Sequence, residues 1–180
     1  MHSGDTTTPA ERLRLLHDEY LTPGPAPHAE RVSKSTEPST PIRLAVYDHI
    51  KATVDELTDF ADVNRDGRSA APRPPGVENA YRWAVEETAH LEGRRARIRD
   101  AVIYRQGLEH AILMGDTKAI RRHACPDCNT WGLTWHRQRE TVVCLNRYCS
   151  DDDGQHTTWT LAQLAENHVD RQAATAARAT

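Results

Sequence analysis

Four cysteines in two close pairs constrain this chain more than any other feature. They read Cys125-Pro126-Asp127-Cys128, then fifteen residues, then Cys144-Leu145-Asn146-Arg147-Tyr148-Cys149. Four thiolates suit tetrahedral zinc, and two short pairs let two knuckles converge on one ion. The first pair has the compact C-x2-C spacing, and the second is two residues longer. The N-terminus, MHSGDTTTPAERLRLL, has no charged region followed by an apolar run, so no secretory signal is expected. A reducing compartment then favours a metal site over a disulfide framework. Four Cys leave no coordination position for water, so the expected cofactor is structural Zn2+. His123, His136 and His156 flank the cysteines, and any one of them could replace a Cys ligand.

The segment between and after the pairs reads as a ribbon. Leu133 and Trp135, then Thr141, Val142 and Val143, suggest two short strands around a turn at His136–Glu140. A polar loop, SDDDGQHT, leads to a third strand at Thr157–Trp159. Thr160 and Gln163 form a capping box that opens a helix through Leu161, Leu164 and Ala165. Trp135 and Trp159 are expected in the small ribbon core. About fifty residues cannot build a large core, so zinc should supply most of this segment's stability.

The remainder reads as helix. Thr8-Pro9 starts a first helix to about Leu21, with Leu13, Leu16 and Tyr20 at helical spacing. Residues 1–8 are expected to be frayed, and 22–40 form a linker rich in Pro, Ser and Thr. Thr40-Pro41 repeats the start signal. Ile42, Val46, Ile50, Val54, Leu57 and Ala61 then make one apolar face of a long helix. After the loop 69–76, Val77, Tyr81, Ala84, Thr88, Leu91, Ile98, Val102 and Leu108 follow a seam of period near 3.5. Gly93 and Gly107 interrupt it, which predicts one kinked helix or two. The expected fold is mainly α, a helical hairpin or three-helix bundle, with a small C-terminal β zinc ribbon followed by a helix. The expected division is 1–40 N-terminal helix and linker, 41–119 hairpin, 120–170 ribbon, and 171–180 disordered tail. Carboxylates at 48, 55, 56, 59 and 62 face an Arg-rich stretch further on, as complementary charge along a hairpin would require.

The segment ACPDCNTWGLTWHRQRETVVCLNRYCSDDDGQHTTWTLAQLAENH, about a quarter of the chain, resembles the C-terminal zinc ribbon of a group of small proteins from actinobacterial phages, prophages and mobile elements. The matching residues are Cys125, Pro126, Cys128, Trp135, Cys144, Asn146, Cys149, Asp151, Trp159, Thr160, Leu161 and Leu164. The resemblance implies metal binding and a phage-type context, and no reaction.

Several functions are disfavoured by what the chain contains. A formal net charge of -3 excludes a uniformly basic nucleic-acid binder but not a local basic face. No apolar run reaches membrane-spanning length. His90-Leu91-Glu92 matches half of the zinc-deaminase signature, but Ala124 stands before Cys125 where that signature needs Pro. No phosphate-binding loop, nucleophile elbow or H-E-x-x-H helix is present. The expectation is therefore a non-enzymatic protein of the bacterial cytoplasm, or alternatively of the virion.

Two roles remain. Nucleic-acid binding would use GRRARIR: Arg94, Arg95, Arg97, Arg99 and Arg105 give a local charge of +4 after Asp100 is subtracted. Arg121, Arg122, Arg137 and Arg139 would reinforce it, with Trp131, Trp135 and Tyr148 as stacking surfaces. Residues 108–122 also hold a helix, a Gly-Asp turn and a basic helix start, though the second helix is short for recognition. The alternative is a protein-interaction module that docks on a host or phage protein, self-associates through its long helices, or serves as a virion component.

Overall fold

The computed structural model describes residues 9–20, 40–67, 72–151 and 153–179. The expected frayed start 1–8, most of the Pro-rich linker and residues 69–71 of the loop lie outside the described residues. Among the described residues, six helices precede, flank and follow a three-stranded sheet: α1 Pro9–Tyr20, α2 Thr40–Asn64, α3 Val77–Glu87, α4 Gly93–Leu113, α5 Lys118–Arg121, β1 Leu133–His136, β2 Thr141–Cys144, β3 Thr158–Trp159 and α6 Leu161–Ala179. Among the described residues no helix is long and apolar enough to cross a membrane. The chain divides into two compact units between His90 and Leu91.

The first unit packs α1, α2 and α3 together. The apolar face read from α2 is its core face: Val46, Ile50, Val54, Leu57 and Ala61 are all buried. Leu13 and Leu16 come in from α1, and Ala80, Tyr81, Trp83 and Ala84 from α3. Two buried threonines satisfy their hydroxyls locally. Thr58 Oγ1 donates to the Val54 carbonyl at 2.8 Å, and Thr88 Oγ1 to the Ala84 carbonyl at 2.7 Å.

The second unit joins α4 to the ribbon, which corrects the expected boundary at 119/120. The period-3.5 seam is real only as two separate faces, because the chain leaves the helix at Thr88 and restarts at Gly93. Gly93 has φ +58, a left-handed conformation that strains any L side chain. The α4 face then turns to α6, its most extensive neighbour. Leu108 of α4, Ile120 of α5 and Leu164 of α6 share one core with Leu133, Val142 and the buried cysteines, and Trp135 and Trp159 pack against it. The ribbon does not stand alone: three helices complete its core.

The sheet is antiparallel in the order β1-β2-β3. Leu133 pairs with Cys144 and Trp135 with Val142, and Val142 pairs in turn with Trp159. Leu133, Val142 and Cys144 point inward, and the residues between them are part-exposed. The capping box forms as the sequence predicts. Gln163 N–H donates to Thr160 Oγ1 at 3.1 Å, and Thr160 N–H donates to Gln163 Oε1 at 2.9 Å. Thr160→Ala is expected to lower the thermal stability of this unit by about 1 kcal/mol, measured by calorimetry.

Residues 171–179, expected to form a disordered tail, continue α6. The physical reason is propensity: five of the nine are Ala, the strongest helix former, with no Gly or Pro to stop the helix. The tail also gains a tertiary contact, since Arg171 Nη2 donates to Asn129 Oδ1 at 2.5 Å.

Candidate metal centre

Each cysteine pair is held by its own backbone turn. In the first knuckle, Asn129 N–H donates to the Cys125 carbonyl and Cys125 N–H to the Thr130 carbonyl, both at 2.9 Å. Asn129 takes φ +56, which Asn tolerates better than most residues and which turns the chain after Cys128. In the second knuckle the two extra residues are absorbed by Asn146. Its side chain accepts the Tyr148 N–H at 3.1 Å, and its carbonyl accepts the Cys149 N–H at 2.9 Å. Leu145 N–H bonds to the Gly132 carbonyl at 3.0 Å, tying the second knuckle to the strand that leaves the first.

These turns bring the sulfurs of Cys125, Cys128, Cys144 and Cys149 within 4.8 Å of one another. Cys125 Sγ lies 3.8 Å from Cys149 Sγ, and Cys128 Sγ 3.7 Å from Cys144 Sγ. Zinc–sulfur bonds of about 2.3 Å in a tetrahedron place the sulfurs about 3.8 Å apart. A disulfide needs about 2.0 Å. The four-cysteine cluster therefore fits a tetrahedral metal ion such as zinc and forms no disulfide. The three flanking histidines stay out of it. His123 bonds through Nε2 to the Tyr104 hydroxyl at 3.1 Å, His136 Nδ1 accepts the Arg139 N–H at 3.3 Å, and His156 is exposed.

The surroundings treat the four thiols unequally. Cys125 and Cys144 are fully buried, and Cys128 is partly open. Hydrogen bonding from Thr130, whose Oγ1 is 3.0 Å away, holds the Cys128 thiol down to about 6. Burial pushes the Cys144 thiol up to about 12. The Thr157 hydroxyl sits 3.4 Å from Cys149 Sγ, a second donor poised to support a thiolate. A metal must expel the Cys144 proton, so protons compete with it, and affinity is present at high pH and lost as pH falls. Apparent zinc affinity is expected to drop at least tenfold per pH unit between pH 7.5 and 5.5, measured by chelator competition. A flat profile would mean that Cys144 is not a ligand.

The arginines singled out in the sequence are dispersed. Arg94 and Arg95 are exposed at the start of α4. Arg97 reaches Asp170 of α6 at 3.4 Å, Arg99 contacts Asp100 at 2.7 Å, and Arg105 contacts Glu109 at 2.5 Å. The α4 stretch is thus partly neutralised within its own unit. Arg121 and Arg122 are exposed beside the first knuckle, and Arg137 and Arg139 in the β1–β2 turn. The helix-turn-helix reading meets a four-residue α5 whose Ile120 is buried in the ribbon core, too short and too enclosed to enter a groove of DNA. His90 and Glu92, expected on a helix surface, are exposed in the segment between α3 and α4, and neither belongs to the cysteine cluster.

Trp131 and Tyr148, expected from the sequence as stacking surfaces, lie next to the two knuckles and are 73% and 79% exposed. The Arg147 guanidinium lies 4.6 Å from the centre of the Tyr148 ring. A groove of about 340 Å³ is lined by Arg122, Asn129, Trp131, His168 and Arg171 among others. Arg171 was hidden by the expectation of a disordered tail; its position seven residues after Leu164, two helical turns along one face, is the signal that could have found it. Asp151 organises its loop: its Oδ1 accepts the N–H groups of Gln155 at 2.8 Å and Asp153 at 3.1 Å.

No family model, curated protein or solved structure matches this chain.

Proposed function

We propose that this is a non-enzymatic zinc-ribbon protein that binds nucleic acid, in the phage or mobile-element setting implied by the resemblance of its ribbon. The observation that carries this reading is the pairing of exposed aromatics with arginines at both knuckles. Burial of a Trp or Tyr is strongly favourable, so two left open beside guanidinium groups suit a ligand with flat faces and negative charge. Residues 91–180 carry 13 Lys and Arg against 11 Asp and Glu, a formal +2, whereas residues 1–90 carry 10 against 15, a formal -5. A zinc tetrathiolate adds -2 to the second unit, leaving it near neutral. Attraction for phosphate must therefore come from local placement of Arg94, Arg95, Arg121, Arg122, Arg137 and Arg139 rather than from overall field. Zinc, in this reading, is structural: it fixes the knuckles that present these groups and takes no part in a reaction.

The test is fluorescence anisotropy of the zinc-loaded protein with labelled single- and double-stranded DNA at about 50 and 200 mM salt. Neutralising even a few phosphates should weaken binding at least tenfold over that range. Absence of binding at the lower salt would overturn the reading and leave the same surfaces as docking sites for a protein, the second role read from the sequence.

A further inference from the structure

We infer that the groove between the first knuckle and α6 holds one unpaired nucleotide, which would make single-stranded DNA the preferred ligand. This rests on the nucleic-acid reading above and adds to it the place, the strandedness and the residues. The groove has three elements that an unpaired nucleotide needs. Trp131 offers a mostly exposed indole face for a base. Arg122 and Arg171 line the same groove, and among the described residues neither has a carboxylate partner, unlike Arg97, Arg99 and Arg105 on α4. Asn129 and His168 add polar groups able to meet a base edge. At about 340 Å³ the space falls at the small end of the roughly 300–1,000 Å³ range of ligand sites, which suits one nucleotide and excludes a duplex.

The groove is also built from fixed parts. Asn129 is set by the knuckle turn and accepts the Arg171 bond that fixes this guanidinium over the groove. His168 stacks on Tyr104 with ring centres 4.0 Å apart and planes 9° from parallel, and bonds to Gln172 at 2.8 Å. Behind it, His123 meets both rings edge-on. A ring nitrogen of an imidazole can meet a base edge, and Arg122 and Arg171 bring two guanidinium groups to the same groove.

The experiment measures affinity of the full, zinc-loaded chain for a labelled oligo-dT and for a duplex of equal length, at low salt. The variants are Trp131→Ala, Arg122→Ala with Arg171→Ala, and Arg82→Ala with Arg178→Ala as a control that removes the same two charges outside the groove. All of these positions are exposed, and zinc stoichiometry confirms that each variant keeps its ribbon. Trp131→Ala and the double groove Arg variant should each weaken oligo-dT binding about tenfold or more, with the control double variant within about twofold. The wild-type protein should also prefer the single strand. Nucleic-acid binding that survives the groove variants, or a preference for the duplex, would overturn the groove while leaving the broader reading intact. No binding to either probe would overturn both. A second readout is the Trp131 indole resonance in nuclear magnetic resonance spectra, which should shift on adding oligo-dT while that of Trp83 does not.

Discussion

Replacing Cys144 by Ser is expected to release the metal and to unfold the second unit, α4 to α6 with the ribbon, while α1, α2 and α3 of the first unit stay folded. Cys144 is fully buried, pairs with Leu133 in the sheet and places its sulfur 3.7 Å from that of Cys128. A serine there loses one thiolate ligand and puts a hydroxyl where no water can solvate it. Zinc binding in small domains supplies about 10–16 kcal/mol, as much as the whole stability of a typical domain. The core of the second unit is short of apolar bulk without it: three of its eight buried members are the ligand cysteines themselves. Loss of the ion therefore removes the centre of the cluster on which Leu108, Ile120 and Leu164 converge. The helices α4, α5 and α6 hold close to half of the helical residues, so far-ultraviolet circular dichroism should lose about half its helical signal. Hydrogen exchange should show amides around Leu164 exposed and those around Leu57 still protected. One retained metal ion per chain would sink the four-cysteine assignment. Metal loss with the second unit still folded would show instead that the helices suffice to hold it.

That prediction differs from what the sequence alone would support, and the difference is instructive. Spacing made the ligands, the strands, the capping box and the α2 core face legible, because each depends on contacts within a few residues. A capping box is written in Thr160 and Gln163; a knuckle is written in the interval between two cysteines. The partner of α4 is written nowhere locally. Its apolar residues suit any complementary face, and a seam continuous through Thr88 and Leu91 suggested α2. A turn at 88–92 and a left-handed Gly93 restart the helix, and the new face meets α6. Arg97 illustrates the consequence for function. In sequence it belongs to a basic run; in the fold Asp170, more than seventy residues later, stands beside it. The groove was equally illegible, since Arg122, Trp131 and Arg171 converge only once α6 is known to extend past residue 170.

Ile120→Ala should weaken zinc binding although Ile120 touches no metal. Its side chain is fully buried and joins α5 to the ribbon core beside Cys125. Truncating a buried Ile to Ala costs about 2–5 kcal/mol through lost burial and the cavity left behind. If the second unit folds only when the ion binds, that cost falls on the folded, loaded state alone. It must then appear in the apparent metal affinity, at tenfold for each 1.4 kcal/mol, or about 30-fold or more. If the metal-free unit is already folded, the mutation destabilises free and loaded forms alike, and affinity stays within a few-fold of the wild type. Chelator competition on the two proteins at one pH separates these cases. The shared core favours the first outcome: the residues that would hold the metal-free unit together are the same residues that the ion draws inward. A small effect on affinity with a large effect on melting temperature would show a preformed site, and would move the source of this unit's stability from the metal to the packing of α4 against α6.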